Sequence, residues 1–152
     1  MTSTSTVRIE KRILLRALRP RVWRALTDAR EFGAWFRVAL EVPFAEGATV
    51  RGRITHPGYE QVTMEMRVER MDPERLFSYR WHPYAVESGV DYSNEPTTLV
   101  EFQLEAVAEG TRLRVVESGF DRIPAARRAE ALRMNDAGWA GQLENIARHV
   151  AS

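Results

Sequence analysis

Cysteine is missing from all 152 residues, so disulfides, thiolate nucleophiles and thiolate-held iron–sulfur clusters are excluded at once. An excess of charge is missing too. The 22 basic residues stand against 21 acidic ones, and a net charge of +1 gives no electrostatic footprint for nucleic acid or an anionic membrane. No P-loop, Gly-x-Ser-x-Gly elbow, strand-following Gly-x-Gly-x-x-Gly or His-Glu-x-x-His motif occurs. The three histidines, His56, His82 and His149, lie far apart in the chain and form no recognisable ligand set. Neither a metal nor a cofactor is therefore expected. The stretch from Met1 to Thr6 is rich in Ser and Thr and has no apolar core, unlike a signal peptide or membrane anchor. The expectation is a cytoplasmic protein without membrane insertion, with residues 1–6 as a disordered tail and 7–152 as one domain.

What the chain does have is period. Ile9, Ile13 and Leu15 alternate with charged residues over 7–15, as a half-buried strand requires. Pro20 suits the first turn of a helix carrying Val22, Trp23, Ala25 and Leu26, and Asp28 is placed to cap a second helix through Trp35 and Phe36. Strands are then expected over 38–42, 48–54, 62–68, 77–81, 98–107 and 111–118, the last two joined by the hairpin signal Glu109-Gly110. Residues 83–96 lack periodicity and read as a long loop, a length uncommon unless functional or mobile.

The last stretch, 124–150, closes the chain as one long amphipathic helix. Leu132, Asn135, Trp139, Leu143, Ile146 and Val150 recur at three- and four-residue spacing. Gly138 and Gly141 each cost about 1 kcal/mol in a helix interior and are expected to admit another backbone closely. Asn135, polar on an apolar stripe, calls for a partner, water or ligand. The expected architecture is α+β, with a curved antiparallel sheet of six to seven strands wrapped around the long helix and two short helices after the first strand. The helix is expected to lie over a cavity.

If the alternation holds, Trp35, Phe36, Met64, Met66, Tyr79, Trp81 and Trp139 converge on that space, a mixture of aromatic rings and adaptable Met side chains suited to a small-molecule pocket. Glu117 continues the alternation of Leu113 and Val115 and should point inward. There it would be a polar anchor or a general acid/base, or else a rim residue that is hydrated or paired with Arg. Asn135 could bond Glu117 or a ligand. His82, with Tyr84 and Tyr92, is a candidate for the pocket mouth. Arg122, Arg127, Arg128 and Arg133 read as a solvated helix face.

The run from Pro20 to Asp28, followed by Trp35-Phe36, resembles the signature of the activator-of-heat-shock-ATPase-like branch of the SRPBCC superfamily. Glu117-Ser118-Gly119-Phe120, and Gly138-Trp139 with Leu143, match it further. The resemblance implies the START-like helix-grip fold, with a deep apolar pocket between sheet and long helix. Members include small-molecule binders, stress-related proteins and polyketide-type cyclases and aromatases. The leading expectation is a non-enzymatic binder of a small hydrophobic molecule, lipid-like or polyketide-like. A chaperone-ATPase-activator-like module with a protein partner and a cyclase-type enzyme using Glu117 are the alternatives.

Overall fold

A computed structural model describes residues 8–87 and 89–151; the expected tail, 1–6, lies outside the described residues. The chain runs β1 (Arg8–Leu15), α1 (Arg19–Thr27), α2 (Ala29–Phe36), β2 (Val38–Leu40), β3 (Thr49–Ile54), β4 (Thr63–Asp72), β5 (Leu76–Trp81), β6 (Thr98–Val107), β7 (Gly110–Ser118) and α3 (Ala125–Ala151). A short 3-10 turn, Phe120–Arg122, precedes α3. All seven strands form one antiparallel sheet in the order β1-β7-β6-β5-β4-β3-β2. The first strand thus crosses over two helices to pair with the last.

Local sequence explains most boundaries. Pro20 stands in the first turn of α1, and the Asp28 carboxylate accepts from the Arg30 and Glu31 amides at 2.9 and 3.1 Å, ending one helix and capping the next. The inward positions of β4, Met64, Met66 and Val68, alternate with exposed Thr63, Glu65 and Arg67. A register shift between Val68 and Arg70 bends β4 and helps the sheet curl. At the β6–β7 hairpin Gly110 has φ 148°, and a side chain there would collide with the Leu15 carbonyl.

The core lies between the concave face of the sheet and the helices. Phe32, Phe77, Tyr79 and Phe102 are fully or almost fully buried beside Met66 and Val100, and Trp139, Leu143, Ile146 and Val150 of α3 complete the cluster. Trp35 belongs to this core as well, its indole N–H donating to the Ala25 carbonyl at 2.8 Å. Gly138 and Gly141 depart from expectation. Both are exposed, and a Cβ on either would meet no atom within 4 Å, so they do not serve backbone packing.

Candidate functional site

Glu117 is the centre of the arrangement. Its alternation with Leu113 and Val115 puts it on the inner face of β7, where it is 0% exposed. Register brings Val100 of β6 opposite it, and Thr98, two residues before, opposite Trp81 at the end of β5. On α3, Asn135 and Trp139 are one turn apart and so share a face. Four side chains from three elements therefore reach one carboxylate. Oε2 accepts from Trp81 Nε1 at 2.8 Å and Thr98 Oγ1 at 2.6 Å, Oε1 accepts from Trp139 Nε1 at 2.8 Å, and the Asn135 amide donates to both at 3.0 and 3.1 Å.

Indole has only a donor, and every contact here runs toward the carboxyl oxygens, so the shell fits an acceptor-only group. Charge-assisted hydrogen bonds of this kind offset the cost of taking a carboxylate out of water. Among the described residues no Lys, Arg or His pairs with Glu117, which corrects the expectation of a rim residue held by water or arginine. Nearby Tyr79 is also fully buried, and its hydroxyl has no partner among the described residues. Burial, and then the charge of Glu117, push the Tyr79 phenol well above its ordinary 10.0.

A cavity of about 680 Å³ opens on the other side of this shell. Phe36, Trp81 and Trp139 form its floor, and Met64, Ile54 and Val62 line the wall formed by β3, β4 and the turn between them. Asn135, Gly138 and Gln142 present the face of α3, while Tyr84, Val86, Val90 and Tyr92 come from the loop between β5 and β6. The floor rings meet edge-on or tilted. Centroids are 5.8 Å apart for Trp81–Trp139, 6.0 Å for Phe36–Trp81 and 6.2 Å for Phe36–Trp139.

Five of the nine candidate residues, Phe36, Met64, Trp81, Asn135 and Trp139, thus line the cavity. The other four do not. Trp35, Met66 and Tyr79 are packed in the core, and Glu117 stands behind the floor, orienting Trp81, Asn135 and Trp139 without facing the space itself. His82 lines the mouth with Tyr84 and Tyr92, its Nε2 3.0 Å from the Glu95 carbonyl.

Arg127 corrects the reading of a solvated helix face. Its guanidinium binds the Glu95 carboxylate at 2.8 to 3.2 Å, donates to the Pro83 and Tyr84 carbonyls at 2.7 and 2.9 Å, and lies 4.9 Å from the centroid of the Tyr92 ring. Both ends of the mouth loop are thereby fastened to the start of α3. Tyr84, one of the clamped residues, has φ 47°, a left-handed conformation that a non-glycine residue holds only when its surroundings fix it. Arg128 likewise turns back, to the Ile123 and Asp121 carbonyls at 3.1 and 3.0 Å. Arg122 and Arg133 are exposed. Among the described residues no three His, Asp or Glu side chains converge as a metal site would need, and no helix is long and apolar enough to cross a membrane.

The sequence profile of the family described as activator of Hsp90 ATPase homolog 1-like protein matches residues 16–151. The chain belongs to this family. Its seven-stranded sheet curled around a long C-terminal helix is the helix-grip arrangement that the family resemblance implied. Solved structures agree on the fold. Protein MLL2253 from Mesorhizobium loti is 19% identical with a TM-score of 0.75, over 95% of this chain and 96% of that one. The Aha1 dimer from Colwellia psychrerythraea is 20% identical with a TM-score of 0.67, over 90% of each chain. DynU16, from the dynemicin biosynthetic locus, is 26% identical with a TM-score of 0.72; the match covers 95% of this chain but only 47% of DynU16. No curated protein is a significant sequence match.

Proposed function

We propose that this family member binds a small apolar or aromatic molecule in the cavity under α3. The observation that carries the proposal is the floor: two indoles and a phenyl ring face a 680 Å³ space, and two of the three are fixed from behind by a buried carboxylate. A dry core would not need such a device, whereas a pocket whose aromatic wall must keep its shape while empty does. Phe36, Met64, Trp81 and Trp139 are the contact surface, with Asn135 and Gln142 offering amide groups at the helix edge. Glu117 is a positioning residue. Its oxygens already accept five hydrogen bonds from protein donors, so a general acid/base role of the cyclase type forms no part of the reading.

The test is equilibrium binding of naphthylmethanol and larger neutral polycycles, followed by quenching of tryptophan fluorescence. Saturable quenching that is lost in Gly138→Leu, which fills the cavity from α3, supports the proposal. Quenching that persists unchanged in that variant would move the ligand elsewhere. Family membership supports a second reading, an interaction module for a heat-shock ATPase, which stimulation of such an ATPase by the purified protein would establish.

A further inference from the structure

Resting on the cavity reading above, we propose that the preferred occupant carries a cationic end: an aromatic or apolar amine, protonated at neutral pH, in place of an acid. Three features of different origin agree on this. The first is the floor. Phe36, Trp81 and Trp139, with centroids about 6 Å apart, pack against one another as a continuous aromatic floor, and the π-face of a ring, of indole above all, attracts a cation.

The second is what lies behind it. Both indole N–H groups donate to Glu117, and hydrogen bonding to a carboxylate polarises each ring so that its cavity-facing surface gains electron density. Among the described residues every hydrogen-bond partner of Glu117 is a neutral donor, so no bonded cation cancels the carboxylate's field, which extends through the rings into the space.

The third is the mouth. Among the described residues lining the cavity, Glu87 and Asp91 bring carboxylates from the loop between β5 and β6, while Glu65 and Arg51, on exposed positions of β4 and β3, are bonded to each other at 2.5 Å and add no net charge. Glu87 and Asp91 are exposed, and neither pairs with a Lys or Arg among the described residues. The chain as a whole carries a net +1, so this acidity is local to the cavity and not a reflection of overall composition. A ligand carboxylate entering here would meet like charge at the mouth and a negative floor. An ammonium group would meet opposite charge at both.

Calorimetric titration with naphthylmethylamine, naphthylmethanol and naphthoate tests this at low salt and about pH 8. These probes share one ring and differ in charge. The ammonium is expected to bind on the order of ten-fold more tightly than the alcohol, with naphthoate weakest. If the alcohol binds and the ammonium binds no better, the charge inference is overturned while the cavity reading stands; if none binds, both fall. The double variant Glu87→Gln/Asp91→Asn changes exposed side chains only and should retain the fold. It is expected to reduce the ratio of ammonium to alcohol affinity several-fold. An unchanged ratio would mark the preference as general adhesion of a cation and overturn the proposal.

Discussion

Trp139 donates its indole N–H to Glu117 Oε1 across 2.8 Å, joining the middle of α3 to the end of β7 at the bottom of the cavity. Trp81 makes the equivalent contact to Oε2 from β5. One carboxylate thus sets the pose of both indoles, and α3 is fastened over the sheet by the same group that shapes the pocket floor.

Removing that group should be costly. Glu117→Ala leaves two indole N–H groups, a hydroxyl and an amide without their acceptor, and a loss of about 3–5 kcal/mol in urea denaturation is expected. Glu117→Gln keeps the volume but turns an NH₂ toward donors, for about 2–3 kcal/mol. Tyr79→Phe, removing a buried hydroxyl without a partner, should leave stability unchanged or raise it. A Glu117→Gln protein as stable as wild type would contradict the hub.

The helix glycines give the opposite sign. A methyl at Gly138 or Gly141 meets no atom within 4 Å, so Gly→Ala at either should stabilise the protein by about 1 kcal/mol through helix propensity alone. The two differ in function. Gly138 lines the cavity and Gly141 does not, so a leucine at 138 should weaken ligand binding while one at 141 leaves it intact. Equal effects on binding would show that the ligand lies elsewhere.

Arg127 should govern the mouth. Arg127→Met removes the bonds to Glu95, Pro83 and Tyr84 but keeps the stem, and local opening of the loop should become easier by about 1–2 kcal/mol. Limited proteolysis and amide exchange should accelerate within 83–95 and not in β6 or β7. Acceleration throughout the sheet would mean that the clamp is a global stabiliser.

Acid sensitivity should arise in part where α1, α2 and the end of α3 meet. Burial raises the pKa of Glu31, but hydrogen bonding with His149, Arg21 and Arg24 outweighs it and leaves the value below the ordinary 4.5. Because the folded value is the lower one, the unfolded chain takes up the proton first. This contribution is complete above about pH 4.5 and is lost as pH falls through the folded value. Glu31→Gln should flatten the acid limb of stability against pH, and an unaltered limb would assign it to other carboxylates.

These residues also show what the sequence could and could not reveal. Element order was legible because each strand and helix carries its own period, and Glu117 could be placed on the inner face by counting two from Val115. Depth along a strand was not legible. Met64 and Met66 share a face, yet one lines the cavity and the other is packed in the core, because alternation sets the side of the sheet and not where the packed core ends. Arg127 gave no sequence signal, since its loop partners lie 32 to 44 residues away in a stretch without periodicity. The glycines of α3 were misread because glycine in a helix serves close packing or open space equally, and only the neighbours decide.

The central claim is that Trp81 and Trp139 floor a ligand site. The chain has four tryptophans, hence four indole N–H signals in a nitrogen-15 correlation spectrum, assignable by single Trp→Phe variants. Titration with naphthylmethanol should shift the signals of Trp81 and Trp139 and leave those of Trp35, held on the Ala25 carbonyl, and Trp23 in place. Shifts confined to Trp23 and Trp35, or no shift at a concentration that saturates other apolar pockets of this size, would contradict the account.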